Sequence, residues 1–130
     1  MFLNQLNLEQ RKTFIELAHY TANVDGVFAD EEKYLIEIYK NEAGISYYDP
    51  KGNNISQIVP VFDTKSSQRI ILLEITALIY SDDKVTVEES KLLKELQMSF
   101  KFSEDELKRA KDWVEKYANL QNEGFNFIDG

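Results

Sequence analysis

Residues 70–79 read IILLEITALI. Placed on a helix, this run is apolar on nearly every side. A helix with no wet face belongs in the interior of a bundle. The surrounding pattern predicts a helix from about Ser66 to Tyr80, with Ile70, Ile71, Leu72, Leu73, Ile75, Leu78 and Ile79 spread around it. The run contains Glu74 and falls short of the roughly 20 apolar residues that a membrane span needs. It therefore predicts a buried core helix, and the remaining helices must wrap it.

The flanking sequence supplies them. Phe14, Leu17, Ala18 and Ala22 recur at spacings of three and four, with Asn7 as N-cap and Gln10 as its capping-box partner. That helix should run to about Val24, where Gly26 permits a left-handed turn. A second helix starts near Asp30, shows an apolar face of Tyr34, Leu35, Ile38 and Tyr39, and stops at Gly44. After the core helix, Thr86 and Glu89 form a capping box for a helix burying Leu92, Leu93, Leu96 and Phe100. Ser103 and Glu106 form another, ahead of the stripe Leu107, Ala110, Trp113, Val114 and Tyr117. The closing QNEGFNFIDG carries two phenylalanines and an isoleucine, which suggests a tail folding back on the bundle. No strand-like alternation competes. The fold class is all-α, one domain over residues 1–130 built as a bundle of about five helices.

One stretch breaks the period. ISYYDPKGNNISQIVPVFDTK, about residues 45–65, holds Pro50, Gly52, Asn53, Asn54 and Pro60, all of which break helices. It reads as a non-helical insertion, with a short hairpin around KGNN as one alternative. Long connections in small domains are often functional. Tyr47, Tyr48 and Phe62 in it, near Tyr34 and Tyr39, suit a partner-binding surface; covering the core beneath a long loop is the competing reading.

Charge and composition remove several functions. The formal net charge is −8 and the basic residues are scattered, so no basic stripe is present to neutralise nucleic-acid phosphates. There is no cysteine, hence no disulfide, thiolate metal site or thiol nucleophile. The N-terminus lacks the basic lead and apolar run of a signal peptide. A cytoplasmic protein is expected. His19 is the single histidine, at the edge of the first helix's apolar face, without a nucleophile beside it. No glycine-rich phosphate loop is present. The expectation is a protein that is not an enzyme.

Two acidic strings repeat. VDGVFADEE at 24–32 aligns with SDDKVTVEE at 81–89, so that Asp25 meets Asp82, Phe28 meets Val85, Glu31 meets Glu88, Glu32 meets Glu89 and Leu35 meets Leu92. Each copy has the plan helix, acidic turn, helix. In ANVDGVFADEEKYL and IYSDDKVTVEESKLL, with LQMSFKFSEDEL after them, the chain resembles the tellurite-resistance TerB-like family, a group that includes the N-terminal domain of the co-chaperone DjlA. The resemblance covers roughly residues 10–118. The second copy has Asp83 where the family often has glycine, and the 45–65 insertion is longer than the family pattern. The resemblance implies a helical, non-catalytic, stress-response domain. It also implies divalent-cation ligands at Asp25, Glu32, Asp82 and Glu89.

Two readings of those acids stand side by side. Four converging carboxylates would suit a hard cation, Ca²⁺ or Mg²⁺ ahead of Zn²⁺. Alternatively, acids in a helix's first turn are favoured by the helix dipole and by capping alone. An EF-hand is excluded, since Lys84 stands where an oxygen ligand is required and the central glycine is absent. The functional expectation is thus a TerB-like domain binding a cation or a protein partner. Its alternative is an acidic interaction module, of inhibitor or immunity type, acting through the 45–65 loop.

Overall fold

The computed structural model describes residues 1–24, 30–80 and 85–130, and the side chains of all of these except 30–32. The helices are α1 (Leu8–Asn23), α2 (Asp30–Glu42), a single turn α3 (Ile55–Ile58), α4 (Lys65–Ile79), α5 (Val87–Phe100) and α6 (Glu104–Asp129). Short 3-10 turns occupy Leu3–Gln5 and Val59–Val61. No strand occurs among the described residues, and the chain is all-α.

Local chemistry starts these helices where expected. Asn7 Oδ1 accepts from the Gln10 amide at 2.8 Å, and Gln10 Oε1 accepts from the Asn7 amide at 3.1 Å. Thr86 with Glu89 and Ser103 with Glu106 close the same reciprocal pair. Each such box satisfies two amides that the first helical turn leaves orphaned.

The core helix α4 packs against α1, α5 and α6. Ile71, Ile75 and Ile79 are fully buried there, as are Phe14, Ile15 and Leu17 of α1. Glu74 is also fully buried within α4. One of its oxygens accepts from the Phe2 amide at 2.7 Å and lies 2.8 Å from the Met1 ammonium, which Glu42 also meets at 2.6 Å. A charge so placed is tolerable only because a cation sits on it. The pairing ties the first residues to the bundle, with Leu3 in the core.

Helix α2 departs from its expected face. Tyr34 is 69% exposed and Ile38 41%, while Ile36, Tyr39 and Ala43 are buried. The reason is Lys40, which buries its stem and sends Nζ to Glu37 at 3.2 Å and Asp49 at 3.7 Å. Counted as polar, it hides the stripe that faces inward. The Tyr39 ring meets Phe14 edge-on at 5.2 Å.

Gly44 ends α2 with φ +72°. Its amide donates to Asn41 O at 3.1 Å, and the amide of buried Ile45 donates to Lys40 O at 2.9 Å. This is the Schellman arrangement. A Cβ here would meet nothing closer than Arg11 Nη1 at 3.8 Å, so only backbone strain opposes it. Gly44→Ala is expected to cost about 1–2 kcal/mol, the penalty of a left-handed residue with a side chain. Chemical denaturation should show a lower midpoint with an unchanged slope.

The 45–65 stretch differs from its expectation in two ways. No hairpin forms around KGNN, and the segment contains a helical turn. Asn54 caps α3 through a box with Gln57, the chain passes through Val59–Val61, and Thr64 caps α4 through Ser67. The tail also differs. It does not fold back; α6 continues through Gly124 to Asp129, and every residue after Val114 is exposed.

Candidate functional site

The acidic turns come first. Asp25 and Asp82 lie outside the described residues, as does the side chain of Glu32. The turns expected at Gly26 and Asp83 lie there too. Glu89 is described: it is half-buried and one carboxylate oxygen accepts from the Thr86 amide at 3.0 Å. That is the capping role. Among the described residues, no group of three His, Asp or Glu side chains is placed to hold a metal. His19 is half-buried on α1, where the Asn23 amide nitrogen lies 3.4 Å from its ring and donates to its carbonyl at 2.8 Å.

The loop residues separate. Phe62 is 1% exposed and meets the Phe100 ring edge-on at 6.5 Å, so it belongs to the core and offers no surface to a partner. Tyr48 is half-buried and donates its hydroxyl to Glu16. Only Tyr47 is open, at 68%, with Lys12 Nζ 5.9 Å from its ring centre.

Glu16 organises that loop. It stands on α1 among Phe14, Ile15, Leu17 and Ala18 and is 1% exposed. Besides Tyr48, it accepts from the amides of Lys51 at 2.8 Å, Gly52 at 3.1 Å and Asn53 at 3.0 Å. Burial pushes its carboxyl up. The Tyr48 hydroxyl and the Lys51, Asn53 and Gly52 amides outweigh this and hold it below the ordinary carboxylate value. Burial, reinforced by the Glu16 carboxylate, pushes the Tyr48 phenol up. A carboxylate this fully donated to is a clamp, with little left over for proton transfer. The loop is therefore fastened rather than presented.

The open chemistry lies on α6. Ala110 and Val114 are buried against the bundle, and α4 with α6 makes the most extensive helix pairing. Beyond it, Tyr117 (37% exposed), Leu120 (67%), Phe125 (58%), Phe127 (88%) and Ile128 (75%) are open. The helix is 26 residues long, about 39 Å at the usual rise. Its last four turns extend past the body. Between α4 and the first turns of α6, a groove of about 390 Å³ is lined by Arg69, Leu72, Leu73, Glu106, Arg109, Ala110 and Trp113. Arg69 is held by Glu106 at 3.4 Å. Trp113 stacks on Tyr117 at 5.5 Å and touches Phe2.

No family model matches this chain, and neither a characterised protein nor a solved structure does. Sequence reasoning missed Glu16 and the α6 arm. A charged residue inside FIELA signalled the first. A continuing three-four spacing beyond Tyr117 signalled the second.

Proposed function

We propose that this chain is a non-catalytic interaction module whose docking face is the C-terminal half of α6. The observation that carries it is the apolar row Tyr117, Leu120, Phe127 and Ile128, exposed on a helix that no other element covers over that length among the described residues. Exposed apolar patches rimmed by polar residues mark interaction sites. A lone helical segment of this length is also marginal in water, so its persistence favours a covering surface. Clamping of the 45–65 loop by Glu16 moves the interaction reading from that loop to α6.

The test is a photo-crosslinking residue at Leu120 in living cells, with Asn122 on the opposite face of the helix as control. A discrete adduct from position 120, absent from 122, is expected. Equal labelling from both positions, or none, would overturn the reading.

A TerB-like stress-response role with a bound cation is the second reading. It rests on the repeated acidic strings, each of which precedes a long helix, α2 or α5. On this reading, millimolar Ca²⁺ or Mg²⁺ raises the unfolding temperature of chelator-stripped protein. Saturation to 100 times Kd adds about 2.7 kcal/mol. Glu32→Gln/Glu89→Gln, which keeps capping oxygens, should abolish the rise. An unchanged rise in that variant would exclude these ligands.

A further inference from the structure

The row on α6 has a definite period. Ala110, Trp113, Tyr117, Leu120, Gly124 and Phe127 alternate at spacings of three and four. That is the narrow seam of a coiled coil rather than the broader face of a helix against a globular core. Its first third packs on α4, and the rest continues the same seam, exposed among the described residues.

We propose that the C-terminal half of α6 pairs antiparallel with the same segment of a second copy of this chain. The inference rests on the docking face proposed above and names its occupant. Setting Tyr117 against Leu120 of the second copy fixes the register. Trp113 then faces Gly124 of the second copy, and Ala110 faces its Phe127. Each of these two layers sets a large ring against a small residue. Gly124 has open space where a Cβ would be, which leaves room for the indole.

The same register brings Phe127 of the second copy over the groove between α4 and α6, beside Leu72 and Leu73. A groove is present where the seam requires one. Charges agree. Lys116 and Glu123 flank the seam on one side, seven residues apart, and antiparallel pairing sets each beside the other's counterpart. Asp129 of the second copy comes level with Arg109, which has no ion-pair partner among the described residues. A parallel pair has neither match.

The area is sufficient. With about 200 Å² for a whole large side chain, the exposed parts of Trp113, Tyr117, Leu120, Phe127 and Ile128 come to on the order of 600 Å² per copy. Two copies would cover about 1,200 Å², at the lower edge of the range of specific interfaces.

Sedimentation of the purified chain over a concentration series tests the pairing. A dimer is expected, with Leu120→Asp and Phe127→Asp each raising its Kd by about 30-fold or more. Both side chains are exposed, so both variants should keep the wild-type unfolding profile of the body. A monomer up to several hundred micromolar, or a dimer indifferent to both variants, would overturn the proposal. Orientation is read by oxidation, since the chain has no cysteine of its own. Trp113→Cys and Gly124→Cys should form a covalent dimer when mixed and none when alone. Within one helix these positions are about 16 Å apart, too far to bridge. A covalent dimer from either variant alone means a parallel pair and overturns the register. If the cellular adduct from position 120 contains another protein while the purified chain is monomeric, the second copy is excluded and the docking face stands. No adduct at all removes both.

Discussion

Replacing Glu16 with alanine is expected to lower the stability of the fold by about 3–5 kcal/mol, the cost of removing one side of a buried, charged hydrogen-bond cluster. Four donors lose their acceptor: the Tyr48 hydroxyl and the amides of Lys51, Gly52 and Asn53. Part of the loss returns as the loop swings out and hydrates. Faster amide exchange at 51–53 should therefore accompany the fall in unfolding midpoint. Glu16→Gln keeps one carbonyl acceptor and should cost less, about 1–2 kcal/mol. The carboxyl's pKa is lower folded than unfolded. Its contribution is therefore fully present above the unfolded value near 4.3 and fades as pH falls through the folded value. As pH falls below about 5, the wild type should lose more stability than Glu16→Gln. Parallel acid titrations of the two proteins would contradict the clamp.

Phe62→Ala should cost about 3–5 kcal/mol, as for a large ring deleted from a packed core. Phe62 is buried against Phe100, and Phe100 packs in turn on Phe102 at 5.9 Å. Tyr47→Ala, at a residue about two-thirds exposed, should stay within about 0.5 kcal/mol of wild type. Urea unfolding of the two variants separates a core residue from a surface one. A stable Phe62→Ala would restore that side chain as a candidate contact for a partner.

What the sequence reveals here is mostly local. Asn7 with Gln10, Thr86 with Glu89 and Ser103 with Glu106 act over three residues, and each marks its helix start. The all-round apolar run of α4 identifies the centre by the same logic. The misses are of another kind. Glu16 finds its partners 32 to 37 residues away, a distance no local pattern spans. The inward face of α2 depends on the buried stem of Lys40, which a polar label conceals. Asn54–Gln57 has the same signature as Asn7–Gln10, but it introduces one turn between breakers. The two phenylalanines and the isoleucine of the tail suggest that it folds back, yet Gly124 lies inside α6. The helix continues through it, and the seam continues with it. The acids of the two repeated strings lie mostly outside the described residues, so that part of the candidate site rests on the sequence alone.

The most direct measurement is hydrogen exchange across residues 115–129 of the purified chain, at a high and at a low concentration. A helical arm held by a second copy should be protected at the high concentration and exchange freely on dilution, while α4 stays protected throughout. Free exchange of the arm at both concentrations would contradict the account.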